Sequence, residues 1–135
     1  MAGKLSLGRM KALLAGNAMT SISTADDATV GSGLVLSDVG TVAASGSNIA
    51  TAQAFTTHVT IVTAADGTAG VKLPTGTTTG EVYVVGNHAA AALKLYAQNS
   101  ETLNGVVGAT GLTIGASKSA LCVKSGATTW TVVLS

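Results

Sequence analysis

From His58 onward the chain alternates apolar and polar residues in short runs divided by glycine, proline, aspartate and asparagine, the pattern of half-buried strands. Val59, Ile61 and Thr63 share one face of the first run, with His58, Thr60 and Val62 on the other, and Asp66-Gly67 ends it. Val71 and Leu73 form a short run stopped by Pro74, which an edge strand tolerates, and by a turn over residues 76–80. In residues 81–86 Tyr83 and Val85 oppose Val82 and Val84, so both faces read as covered and an inner strand is predicted. Residues 92–98 place Leu93, Leu95 and Ala97 inward and Lys94 and Tyr96 outward. With the preceding run they read as a hairpin turning at Asn87-His88.

Leu103-Asn104-Gly105-Val106 sets Asn-Gly between aliphatics, a strong hairpin signal because both central positions prefer positive φ. Three further strands follow over 112–114, 119–124 and 128–134, the last with Trp130, Val132 and Leu134 on one face. Some seven short strands with no crossover helix between them predict an all-β fold, an antiparallel β-sandwich or jelly-roll-like domain.

The first part of the chain reads differently. Ser6 can cap a helix over residues 6–18, where Leu7, Met10, Leu13 and Leu14 recur at helical spacing before Gly16-Asn17 stops it. Three turns are marginal alone in water, so this helix must pack on something. Residues 20–54 read as an extended arm with one or two weak strands, the clearest within Gly33–Val42. The expected organisation is an arm over 1–57 and a β-sandwich over 58–135.

Alanine, glycine, serine and threonine make up 72 of the 135 residues, and Phe55, Tyr83, Tyr96 and Trp130 are the aromatics. Small side chains bury little apolar area per residue while the backbone entropy to be overcome is undiminished. Association with further copies or a larger partner is therefore expected. No run approaches the about 20 apolar residues of a spanning helix, the longest being Ala89–Leu93, so no membrane partner is expected. A cleaved secretory signal is disfavoured because Gly16 and Asn17 interrupt the apolar stretch after Lys4, Arg9 and Lys11. Cys122 stands alone between Leu121 and Val123, which excludes an intramolecular disulfide and reads as a strand cysteine rather than a reactive thiol.

The net charge of +1 hides an order: the first 25 residues carry only Lys4, Arg9 and Lys11, and residues 26–71 only Asp26, Asp27, Asp38 and Asp66. Three cations without a cluster are too few to neutralise many phosphates, so nucleic acid is not an expected partner. His58 and His88 are the only histidines, and no G-x-S-x-G elbow accompanies the many serines. With histidines 30 positions apart and one cysteine, no zinc-ligand spacing occurs. Asp26 and Asp27 lack the spaced oxygen ligands of a calcium loop, and no phosphate-cradling glycine motif is present. The chain therefore reads as a non-enzyme without a catalytic, metal or cofactor site.

Residues 70–134 carry the segments GVKLPTG, EVYVVGNHAAAALKLYAQNSETLNG and GLTIGASKSALCVKSGATTWTVV. This pattern resembles a β-rich module of tailed-phage virion proteins, among them capsid decoration (cement) and head-fibre proteins. The resemblance implies a structural protein on the capsid surface of the virion, made in the host cytoplasm. Its implied partners are the major capsid protein and itself, as a homotrimer. The alternative it implies is a tail or head spike module that recognises host surface glycans. Lys4, Leu7, Arg9, Met10, Lys11, Leu13 and Leu14 are the expected capsid or subunit contacts, the aliphatics supplying burial and the cations matching an acidic surface; the alternative is a helix that closes one end of its own sandwich.

Overall fold

In the computed structural model, residues 38–135 are described, and they are all-β. The strands are β1 (Val39–Ala43), β2 (Gln53–Ala54), β3 (Val59–Ala64), β4 (Gly70–Lys72), β5 (Val82–Asn87) and β6 (Leu93–Tyr96). They continue as β7 (Thr102–Leu103), β8 (Val106–Val107), β9 (Leu112–Ile114), β10 (Ser119–Gly126) and β11 (Thr129–Leu134). No helix of the described residues is long and apolar enough to cross a membrane. The helix expected over 6–18 lies outside them, as do residues 33–37 of the weak-strand region.

The first six strands alternate between two sheets. β1, β3 and β5 enter a seven-stranded sheet ordered β1-β3-β5-β10-β11-β7-β8, and β2, β4 and β6 enter a four-stranded sheet ordered β2-β4-β6-β9. Each return to a sheet pairs in parallel with the strand laid down one circuit earlier, so the chain winds as in a β-solenoid. The later strands close the stack in the opposite sense, β9 antiparallel to β6 and β10 antiparallel to both β5 and β11. β1 and β2, within the stretch read as an arm, pair with β3 and β4, the first with a register shift after Val42.

The wholly antiparallel architecture expected from the sequence is thus corrected to a mixed one. Parallel neighbours need a long crossover, usually a helix. Here the crossover from β1 to β3 contains β2 and that from β3 to β5 contains β4, so a strand of the second sheet does the helix's work. Period-two alternation carries no information on strand direction. For the same reason the hairpin expected over 81–98 does not form, since β5 and β6 lie in different sheets. The Asn-Gly hairpin does form: β7 and β8 pair antiparallel, with φ of 50° at Asn104 and 83° at Gly105.

Both sheets contribute to one core. Val62, Val71, Leu73, Val85, Leu93, Leu95, Leu103, Ile114 and Trp130 are buried, each aliphatic removed from water adding about 1.5–3 kcal/mol. Tyr96, expected outward, is also buried. Its parity is outward, but residues 44–52 fold over it and its hydroxyl donates to the Ser47 carbonyl at 2.9 Å. Leu134, expected inward with Trp130 and Val132, is exposed at the last strand position. Asn87, fully buried at the end of β5, donates through Nδ2 to the carbonyls of Ala91, Ile114 and Gly115 and accepts from the Ala89 N–H. That amide fixes where the chain leaves one sheet for the other.

Candidate functional site

The contacts expected at Lys4, Leu7, Arg9, Met10, Lys11, Leu13 and Leu14 lie outside the described residues. Among the described ones the most distinctive surface is the outer face of the seven-stranded sheet. Alternation buries Thr60, Val62, Tyr83, Val85, Ala120, Cys122, Lys124, Trp130 and Val132, which turns their neighbours outward. Cross-strand register aligns those neighbours. Val39 pairs with Val59, Val59 with Val84, Val84 with Leu121 and Leu121 with Val133, an unbroken aliphatic row over five strands. On one side lie Thr41, Ile61, Gly86 and Ser119 in register, and on the other Val82, Val123 and Thr131.

None of these positions is charged. Val39, Leu121 and Val133 are 56%, 41% and 61% exposed, while Val59, Ile61, Val82, Val84 and Val123 are half-buried. The expected inner strand over 81–86 is therefore only partly covered on its second face: Tyr83 and Val85 are buried on one, while on the other Gly86 is buried and Val82 and Val84 retain exposure. The four-stranded sheet differs, because Lys72 and Lys94 share the outward parity of Gly70 and Tyr96. Each apolar residue of the row is visible in the sequence. Their alignment is not, since it depends on the register of parallel pairs.

Two polar clusters stand at the margins of the core. Lys124, on the inward phase of β10, is buried and donates to Glu101 Oε1, while Trp130 Nε1 and the Gln98 N–H donate to Oε2 at 2.8 and 3.1 Å. The ammonium also lies 4.8 Å from the Trp130 ring centroid. Burial raises the Glu101 carboxyl, but the bonds from Lys124, Trp130 and Gln98 outweigh it and hold the group below the ordinary carboxylate range. Sequence reading missed this pair. Its signal was a lysine in phase with Ala120 and Cys122 on an otherwise apolar strand face.

In the second cluster His58, just before β3, stacks on Tyr83 at 4.8 Å and 8° and pairs with Asp38 at 3.4 Å. Tyr83 donates to Glu81 Oε2 at 2.7 Å, and burial followed by that bond pushes its hydroxyl up to about 12. These contacts give His58 a ring partner and a carboxylate partner, and Tyr83 an acceptor. His88 is exposed after β5. Burial pushes the Cys122 thiol up to about 12, which opposes thiolate chemistry. No cluster of three or more metal-ligating side chains occurs among the described residues. An open cleft of about 250 Å³ is lined by Phe55, Lys72, Leu73, Pro74 and Gln98. Its polar ends are engaged internally: Lys72 Nζ donates to the Ile49 carbonyl and Gln98 Nε2 to that of Leu73.

Comparison of the chain with protein-family models, with curated proteins and with solved structures gives no match.

Proposed function

We propose that the chain is a structural protein of a tailed-phage virion, a capsid decoration (cement) protein that binds the outside of the assembled head as a homotrimer. The reading rests on the residue pattern of 70–134, and the uncharged outer face of the large sheet is the structural observation that supports it. A broad, shallow surface of aligned aliphatics suits burial against another protein surface. In this reading the two sheets act as a sandwich-like body, and Lys4, Leu7, Arg9, Met10, Lys11, Leu13 and Leu14 make the contact with the major capsid protein.

The mechanism is mass action. A protein that binds the closed shell and not its dissociated subunits stabilises the shell by RT ln(1 + [L]/Kd), about 2.7 kcal/mol per site at a hundredfold excess over Kd. The test is to mix the full chain with capsids of the same virus lacking it and pellet them. Saturable co-sedimentation at hundreds of copies per head, with a raised temperature of shell disruption, is the expected result. Failure to pellet, or preferential binding to host-envelope polysaccharide, overturns decoration in favour of a spike module. Leu13→Asp with Leu14→Asp is expected to weaken capsid binding sharply, by placing two charges where burial is needed.

A further inference from the structure

We propose that the outer face of the seven-stranded sheet is the interface between copies of this chain, with three such faces turned toward a common axis. The proposal takes the homotrimer from the reading above and assigns it a surface; it does not depend on the capsid. The centre of that surface is the row Val39, Val59, Val84, Leu121 and Val133.

Charge selects the occupant. A partner recognised by charge complementarity would meet lysines or carboxylates on this face, and the described residues place none there. An uncharged face meets a copy of itself without like-charge repulsion in any orientation. The outer face of the small sheet is not free in the same way, because residues 44–52 cover Gly70 and Tyr96 and the Ile49 carbonyl engages Lys72. Over residues 38–135 Lys72, Lys94, Lys118 and Lys124 balance Asp38, Asp66, Glu81 and Glu101, so the body carries no net charge to oppose association.

Size sets the share of the contact that the row supplies. Five strands about 4.8 Å apart and three rows about 6.7 Å apart cover roughly 20 × 20 Å with side chains included, on the order of 400 Å². Thr41, Gly86, Ser119 and Thr131 stand within that area, so its apolar part is smaller, and the whole is half of what each partner buries in a standard interface, about 800 Å². The row therefore forms the apolar centre, and the surrounding hydroxyls of Thr41, Thr63, Ser119, Thr129 and Thr131 form the polar rim. Around a three-fold axis each face meets two neighbours, one on either half, which closes the assembly.

The experiment is light scattering coupled to size exclusion on the full chain, alongside Leu121→Asp/Val133→Asp and a control, Thr113→Asp, at an exposed position of the small sheet. The wild type and the control are expected at three chain masses. The double variant is expected at one chain mass with an unchanged β circular dichroism spectrum, its dissociation constant raised at least about a hundredfold. Should two aspartates unfold the chain, Leu121→Thr/Val133→Thr keeps residues suited to strands and is expected to raise that constant about tenfold or more. A monomeric wild type at micromolar concentration, or a double variant that keeps the trimer mass, overturns the proposal. A mass of two chains overturns the three-fold arrangement. A double variant that stays trimeric but no longer pellets with capsids also overturns it, in favour of the shell as occupant, whereas a trimer that dissociates in the variant but binds no capsid sustains the interface and sinks decoration alone.

Discussion

Gly70 lies under the ring of Tyr96, and the two hold the loop over 44–52 against the small sheet. A Cβ at Gly70 would collide with the ring and stand 2.7 Å from the Lys94 carbonyl. The Gly70 N–H donates to the carbonyls of Ser45 and Gly46, and the Tyr96 hydroxyl to that of Ser47. Glycine is required here by close approach rather than by a turn.

Gly70→Ala is accordingly expected to destabilise the fold by about 1–3 kcal/mol, the usual cost of overpacking. Chemical denaturation followed by circular dichroism measures it. In a Tyr96→Ala background the cost should shrink but persist, because the Lys94 carbonyl remains in the way. An equal cost in both backgrounds would show that the ring does not set the requirement.

Breaking the interior pair formed by Lys124 and Glu101 should cost more. Lys124→Met or Glu101→Gln leaves one buried charge without its partner, a loss of about 3–5 kcal/mol. Glu101→Leu combined with Lys124→Met removes both charges and should recover most of it, although the Trp130 Nε1–H then loses its acceptor. Urea midpoints of the three variants test this, and a double variant no better than the worse single one would contradict it.

Which of these features the sequence carried depends on whether they are local. The Asn-Gly hairpin and the inward phase of Leu93 and Leu95 follow from alternation and turn chemistry within a few residues, and they were legible. The winding of β1 through β6 was not, because a parallel return between sheets leaves the same period-two trace as a hairpin. Tyr96 was misread because parity fixes its direction but not the distant loop that covers it. The aliphatic row was legible residue by residue and invisible as a row, since register joins positions as far apart as Val39 and Val133.

Stability should fall in acid, and Glu101 should contribute to the slope together with Asp66 and Glu81, whose carboxyls are lowered too. The Glu101 carboxyl is held below the ordinary range in the folded state, so the unfolded chain binds the proton first as pH drops. The contribution is present above the ordinary glutamate pKa of about 4.3 and lost as pH falls through the lowered folded value. Glu81, lowered by the Thr78 N–H and then by the Tyr83 hydroxyl, acts in the same direction. Denaturation curves between pH 6 and about pH 3 should show the decline, and Glu101→Gln should flatten it in part while leaving the Asp66 and Glu81 contributions. An unchanged slope in that variant would remove Glu101 from the account.

Asn104 should prove hard to replace. It sits at φ 50°, and its side chain both accepts from the Val132 N–H at 2.8 Å and donates to the Val132 carbonyl at 2.7 Å. Asn104→Ala loses both bonds and strains the backbone, for an expected cost of about 2–3 kcal/mol. Asn104→Gly relieves the strain but not the bonds and should cost less. Equal costs would mean that the hydrogen bonds carry the whole effect.

At the alkaline end Cys122 should dominate. Its thiol is fully buried between β5 and β11 and pushed up to about 12, whereas in the unfolded chain it ionises near its ordinary value of about 8.5. Below that value the thiol is protonated in both states and costs nothing. Above it the unfolded state alone releases the proton, so stability should fall by roughly 1.4 kcal/mol per pH unit until the folded thiol ionises. Tyr83, also raised to about 12, adds to the fall only above its ordinary value of about 10. Cys122→Ala should remove the decline between about pH 8.5 and 10 while lowering stability at neutral pH through the cavity it leaves. Thiol labelling gives an independent check, because a buried thiol reacts only when the sheet opens, so the labelling rate at neutral pH should track unfolding through a denaturant series. Rapid labelling of the native protein would place Cys122 at the surface and defeat both expectations.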